Sequence, residues 1–484
     1  MKPGLVLAVV AVYIALLFIV SGLTSRGRNS SLSGVFFNGG RKSPWWVVAI
    51  SMIGSSISGV TFVSVPGMVE ASQFSYMQMV LGFILGYAAV AYILLPLYYK
   101  YDLTSIYGYL ETRFGVAGRT TGSLFFLISK FLGCGVRTYL TVSVLQLFLF
   151  GPLGIPFWVN AVLTMLVVWG YTFRGGVKTI VWVDMLQTLA MIGAVVLCLV
   201  SISKSMGLNF SGMCNEVASS PMSRIWFFDD PLDRRYFWKQ FLAGAFTVVA
   251  MTGLDQDMMQ KNLSCRNRRE AQKNVMSYGI AFVPVNLLFL ALGVLLFRIK
   301  TDSGIAIDGP DSLFPTIATQ YMPASVGVLF ILGLVAAGFS STGSALTSLT
   351  SSVTLDILHA DRKKDTAGLD RTCFKVHICS AVAMCLAICA FSALKNSSVI
   401  DAVYTIAGYT YGPLLGLFIF GMATRLKVRA KAVPVVCVLS PLLTGLLSAN
   451  SERWFGGYQM GFEVLLVNAA ITFIGLLIIS RRDK

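Results

Sequence analysis

The chain has 484 residues, of which 12% are charged and 56% hydrophobic, and its 38 basic residues outnumber 22 acidic ones to give a formal charge of +16. Soluble domains carry about 25% charged residues, and apolar stretches long enough to cross a bilayer recur here from end to end, so a cytoplasmic multidomain enzyme is excluded. Scattered cysteines without a CxxC pair, and only two histidines, His359 and His377, in or beside a charged loop, supply no disulfide framework, metal cluster or nucleophile–base pair.

Residues 4–23 form the first apolar stretch, read as a retained span because it is long and lacks a small-x-small cleavage signal. The stretches 45–69, 74–99, 120–150, 156–173, 178–203, 238–259, 275–297, 323–355, 373–393, 398–421, 431–448 and 461–480 follow, which predicts thirteen transmembrane helices. At about 1.5 Å per residue, each can cross a hydrocarbon layer of about 30 Å. Basic residues gather in alternate loops: Arg26, Arg28, Arg41 and Lys42; Lys100, Arg113 and Arg119; Arg174 and Lys178; Lys261, Arg266, Arg268, Arg269 and Lys273; the cluster from Arg362 to Lys375; that from Arg425 to Lys431; and the tail Arg481, Arg482 and Lys484. That bias predicts an amino terminus outside and a cytoplasmic carboxyl terminus. Basic residues confined to short loops form no continuous face for nucleic acid.

Two stretches are interrupted. The second contains SMIGSSISGVTFVSVPG (51–67), and the seventh passes through AMTGLDQDMMQ (250–260), with Gly253, Asp255 and Asp257 after a long apolar approach. Backbone freed at such breaks must be satisfied by protein, water or ions. Breaks at matching places mark a transporter with inverted repeats, here spans two to six against seven to eleven.

Charged groups within the spans carry the functional reading. Arg137, about ten residues from either end of its span, can bind a carboxylate bidentately or pair with an acid on another span. Lys130, nearer the inner end, reads as a snorkelling or gate-capping residue. Asp184, in KTIVWVDMLQTLAM, needs a cation or a hydrogen-bond donor, and hard oxygen coordination suits sodium. In LGLVAAGFSSTGSALTSLTSSVTLD (332–356), helical spacing groups Ser340, Ser341 and Ser344, with the Ala337 carbonyl one turn before Ser341. Small residues there also permit close helix packing. Hydroxyls of the second span facing this run would complete an oxygen cage.

GSSISGVTFVSVPG (54–67), GGVKTIVWVDMLQTLAM (175–191), GLDQDMMQKNLSCRNRREAQKN (253–274) and AAGFSSTGSALTSLTSSVTLDI (336–357) resemble, in order and spacing, the sodium:solute symporter family. The resemblance covers nearly the whole chain. It implies an all-α polytopic membrane protein with a LeuT-like fold of five plus five inverted-repeat helices. Residues 1–44 would be an extra amino-terminal transmembrane helix and cytoplasmic loop, 45–203 the first repeat, 204–237 an extracellular or periplasmic loop, 238–421 the second repeat, and 422–484 two further transmembrane helices and a cytoplasmic tail. The main sodium site would comprise the carbonyls of Gly54, Ile57 and Ala337 and the hydroxyls of Ser340 and Ser341. A second sodium, found in some sialic acid transporters of the family, would involve Asp184, Ser341 and Ser344, although Gly343 stands where one further serine is expected. Substrate contacts would come from Ser56, Ser58, Thr61, Gln78 and Arg137.

The expected protein is therefore not an enzyme but a sodium-coupled symporter of the plasma (bacterial inner) membrane. It works by alternating access on a small anionic solute, with N-acetylneuraminate the best single choice. A neutral sugar, an amino acid or another monocarboxylate is the alternative cargo, proton coupling the nearest rival mechanism, and a channel the rival class. No protein partner is implied. The polar residues concentrate at two broken spans rather than lining a continuous pore, which argues against the channel.

Overall fold

Proline precedes several of the helices. Pro44, Pro156 and Pro323 hold non-helical ψ values of 135°, 152° and 147° just before Trp45, Phe157 and Ala324, a place that suits a residue with fixed φ and no N–H to donate. The computed structural model describes residues 3–25, 36–173, 176–307, 309–360, 366–393, 399–458 and 460–481. Of the loop residues predicted to set orientation, Arg26, Arg28, Arg174, Arg362, Lys363, Lys364, Arg482 and Lys484 lie outside that set, as do Lys2 and Lys395.

The principal helices are α1 (Pro3–Ser25), α2 (Trp45–Ser56), α3 (Gly59–Gly67), α4 (Tyr76–Lys100), α5 (Gly108–Phe150), α6 (Phe157–Thr172), α7 (Gly176–Ser205), α8 (Phe237–Val248), α9 (Gln256–Asn262), α10 (Arg268–Asp302), α11 (Ala324–Ile357), α12 (Thr366–Ser392), α13 (Val399–Ala423), α14 (Val433–Ala449) and α15 (Val464–Ile478). A helical segment stands at each predicted stretch. Among the described residues nine helices are long and apolar enough to cross a membrane, or ten when α2 and α3, bent by 57° at their break, count as one span. The apolar helices α6 and α15 are shorter, and α8 continues through a wide turn at Val249–Gly253 before α9 resumes.

The distribution of side chains is that of a protein dissolved in lipid. Val12, Ile19, Leu166, Leu386, Leu442 and Ile478 are exposed, whereas Ser51, Thr141, Thr188, Ser340, Ser348 and Asn468 are buried. Small residues let helix backbones approach closely. A Cβ on Gly82 of α4 would stand 2.0 Å from the Phe241 carbonyl oxygen of α8, and one on Gly244 of α8 would stand 2.2 Å from the Met79 oxygen. Helix α7 packs along α2 and α11, α5 along α11 and α13, and α10 along α2 and α4. The resulting core places the α2–α3 break beside the hydroxyl-rich middle of α11.

Arg119 and Lys261, assigned to loops, are interior. Arg119 lies in α5, which starts earlier than its apolar stretch. Its Nε donates to Asp356 Oδ1 at 2.9 Å, its Nη1 to Glu111 at 2.9 Å and its Nη2 to the Leu355 carbonyl at 2.8 Å. A polar helical turn is stable there because its charges pair with the end of α11. His377 sits in α12, within the predicted stretch 373–393, with its two ring nitrogens 3.0 Å from Thr172 Oγ1 and 2.8 Å from Thr350 Oγ1.

Candidate functional site

The regular ladder of α2 ends with Ile57 N–H donating to the Ile53 carbonyl, and that of α3 begins with Phe62 N–H donating to the Ser58 carbonyl. The carbonyls from Gly54 to Ile57 fall outside both ladders, so their oxygens lack a helical donor. A glycine is required at 54 because a Cβ would stand 2.0 Å from Thr188 Oγ1 on α7. Opposite the break, α11 carries Ala337, Ser340 and Ser341, all buried. Ser341 Oγ donates to the Gly338 carbonyl at 3.1 Å, whereas Ser340 Oγ is buried with no hydrogen-bond partner among the described residues. A buried orphan hydroxyl on a helix packed against a break with free carbonyls fits a hard cation, whose bonds to oxygen would offset their desolvation.

Next to this break lies a cavity lined by Ser55, Ser56, Ser58 and Thr61, by Lys130 and Arg137 of α5, and by Asp255, Asp257 and Ser341. Tyrosines close its walls. Ser56 Oγ is hydrogen-bonded to Tyr278 Oη, which accepts from Tyr87 Oη at 2.6 Å, and Tyr76 Oη lies 3.1 Å from Tyr404 Oη.

The two cations of α5 have different surroundings. Lys130 Nζ is 3.1 Å from Asp255 Oδ2 and 2.7 Å from Asp257 Oδ2, and Tyr411 Oη donates to Asp255 Oδ2 at 2.5 Å. Asp255 also caps α9, accepting from the N–H groups of Asp257 and Met258 at 2.8 and 3.3 Å. Lys130 therefore joins α5 to the second break instead of reaching for the membrane surface. Arg137 is two turns, or about 10 Å, further along α5. It lines the cavity, and its guanidinium has neither a carboxylate nor a hydrogen-bond partner among the described residues.

Gln78 belongs to a different structure. Its Nε2 donates to the Arg235 carbonyl at 2.7 Å and its Oε1 accepts from Phe227 N–H at 3.1 Å. The side chain fastens the 221–236 loop and is not among the residues that line the cavity. In the same loop the Arg235 guanidinium, 2.8 Å from Asp233, holds that carboxyl below its ordinary range.

Asp184 is fully buried on α7. Its Oδ2 accepts from Ser55 Oγ at 3.0 Å, from Ser344 Oγ at 3.2 Å and from Lys261 Nζ at 2.6 Å. Four helices, α2, α7, α9 and α11, thus converge on one oxygen. Lys261 is a residue that sequence reasoning missed, because it follows the apolar part of its span and was grouped with the basic loop residues that set orientation. The available signal was its place one turn after Asp257, inside the resumed helix α9. The tyrosine walls were missed for the same reason that they work: in sequence they are dispersed over α4, α10 and α13.

The sequence pattern described as the sodium:solute symporter family matches residues 36–429. The chain belongs to this family. The symporter is 26% identical over 479 residues to the sodium/sialic acid symporter NanT of Aliivibrio fischeri, covering 94% of this chain and 91% of the relative. It is 25% identical to the sodium/sialic acid symporter SiaT of Proteus mirabilis, covering 95% and 93%. It is also 27% identical to the human sodium/iodide cotransporter, over 83% of this chain, and spans 62% of that relative's length. A solved Na+-coupled sialic acid symporter in a substrate-bound outward-open state has the same fold, with a TM-score of 0.82 at 24% identity over 99% of both chains. A nucleobase-cation-symport-1 family transporter matches with a TM-score of 0.53 at 13% identity, over 91% of this chain and 93% of its own. The symporter is accordingly an all-α, LeuT-like, multi-pass membrane transporter coupled to sodium, not an enzyme.

Proposed function

We propose that the symporter imports a small organic anion with sodium, and that its cargo is an acidic sugar such as N-acetylneuraminate. One observation carries the reading: Arg137 lines a hydroxyl-rich cavity and its guanidinium has no acid paired with it among the described residues. A guanidinium in a partly desolvated site binds a carboxylate through two parallel charge-assisted hydrogen bonds. Ser56, Ser58 and Thr61 line the same cavity and suit a polyhydroxylated cargo. The cargoes named for the relatives, sialic acid and iodide, are anions, and mouse sodium-coupled monocarboxylate transporter 2, 25% identical over 85% of this chain, adds a third. A monocarboxylate is therefore the second reading.

In this scheme sodium binds among the carbonyls of Gly54, Ile57 and Ala337 and the hydroxyls of Ser340 and Ser341, and ties α2 to α11. Cargo then bridges Arg137 on α5 to the broken segment, and closure of the outer path exposes both to the other side. Thirteen crossings with the amino terminus outside, in the plasma or bacterial inner membrane, and repeats at 45–203 and 238–421 complete the proposal. The loop 204–237 and the pair of helices after 422 lie outside the repeats.

The test is melting of the purified protein with sialic acids, uronates, monocarboxylates, neutral sugars and amino acids, each with and without sodium. An acidic sugar should raise the melting temperature only when sodium is present. Stabilisation by a neutral sugar and by no acid would overturn the reading.

A further inference from the structure

Asp184 is the carboxylate that the family resemblance offers to a second sodium ion, and in this chain it already holds a cation. Lys261 Nζ stands 2.6 Å from Asp184 Oδ2, with the lysine side chain 2% and the aspartate side chain 0% exposed. The ammonium also donates to Ser55 Oγ, so it binds the hydroxyl and carboxylate oxygens that a bound metal ion would need.

The placement is built from several directions. Asp255 caps the start of α9, Gln260 Nε2 donates to the Phe37 carbonyl at 2.7 Å and to Ser351 Oγ at 2.8 Å, and Ser264 Oγ donates to the Lys261 carbonyl at 2.7 Å. The lysine is thereby delivered to Asp184 by a short helix anchored on both sides of it. A second departure coincides with the first. At Gly343, where one more serine is expected, a Cβ would stand 2.5 Å from Tyr171 Oη, and that phenol donates to the Phe339 carbonyl at 2.7 Å. The space for a cage hydroxyl is filled by a ring that turns its oxygen toward backbone.

We infer that the Lys261 ammonium is a built-in replacement for the second cation, so that this symporter binds one sodium ion per cycle. Asp184 Oδ1 has no donor among the described residues, but the charge that would draw sodium to it is already balanced. Buried charge needs a counterion. A tethered ammonium supplies it permanently, whereas a sodium ion would supply it only when bound. The residue consequently sets the coupling ratio. With a monoanionic cargo, one sodium makes the loaded step electroneutral, and the membrane potential then adds nothing to accumulation at that step.

This inference rests on the sodium-coupled reading but not on the identity of the cargo, so its test contains no cargo. The melting temperature of the detergent-purified protein is followed against sodium concentration, with choline holding ionic strength constant; under linkage, the slope against log sodium reports the ions bound. The wild type should show the slope of one ion. K261M, which keeps the chain length and removes the charge, should show about twice that slope, and D184N/K261M should return to the wild-type value. A wild-type slope of two ions, or a folded K261M with an unchanged slope, would overturn the inference alone. Absence of any sodium dependence would overturn the sodium-coupled reading with it. If K261M does not fold, the wild-type slope and that of the neutral pair D184N/K261M remain decisive, since both must report one ion.

Discussion

At the scale of single residues, a charge in a membrane interior is costly unless something pairs with it, and the symporter distinguishes its charges by which partner is supplied. Lys130, Lys261 and Arg119 have carboxylates within 3.1 Å. Arg137 has none among the described residues. Removing it should therefore weaken binding of the acidic cargo by about 10- to 100-fold, the range of a charge-assisted hydrogen bond worth about 1.5–3 kcal/mol. R137A should stay folded, as judged by gel filtration, and lose sodium-driven uptake into proteoliposomes. R137K should recover little, since an ammonium cannot form the parallel pair. Unchanged uptake of acidic solutes by R137A would remove the arginine from the site. A second prediction concerns Ser340, whose hydroxyl is buried without a partner. S340A/S341A should raise the sodium concentration for half-maximal uptake by about 10-fold, as the loss of one or two oxygen contacts of about 1 kcal/mol each implies. An unchanged sodium dependence would exclude both serines as ligands.

At the scale of elements, the two interrupted helices perform different tasks. The α2–α3 break offers carbonyls, whereas the α8–α9 break presents carboxylates and a lysine. Asp255 and Asp257 hold Lys130, and through it α9 is clamped to α5 beneath Arg137. Cutting that clamp leaves two carboxylates buried with less compensation. K130A should lower stability by about 3–5 kcal/mol, the cost of removing one partner from a buried ion pair. K130A/D257A should recover part of that loss, because the pair is removed together. The measurement is the melting temperature in detergent. Equal destabilisation by the single and the double variant would show that the contact has no energetic weight.

At the scale of the whole molecule, the site is an intersection. Four helices from both halves of the chain meet at Asp184, and at least five elements line the cavity. In the proposed scheme sodium and cargo do not need to touch to cooperate, since each would favour the arrangement in which α2, α3, α5 and α11 are in register. Coupling of this kind is reciprocal. The factor by which saturating sodium raises cargo affinity should equal the factor by which saturating cargo raises sodium affinity. Paired isotherms followed by tryptophan fluorescence or melting check this, and unequal factors would show that the two ligands are not linked through a common equilibrium.

The sequence by itself determined that this is a polytopic helical membrane protein, because length, apolarity and the spacing of polar breaks are local properties that a bilayer reads directly. It also marked Arg137, Asp184, Ser340 and Ser341, since a polar residue in an apolar run stands out wherever its partners lie. Partnership was not legible. Lys261 was grouped with orientation-setting loop residues, Arg119 was placed in a loop, and the tie of Gln78 to the 221–236 loop was not seen, because each is defined by a neighbour 77 to 237 residues away. Only the tertiary structure decided that one lysine clamps two aspartates, that another pairs with Asp184, and that the Arg137 side chain has no carboxylate partner among the described residues. The physical reason is that the cost of a buried charge depends on what lies within a few ångströms of it, and that distance is fixed by packing rather than by sequence order.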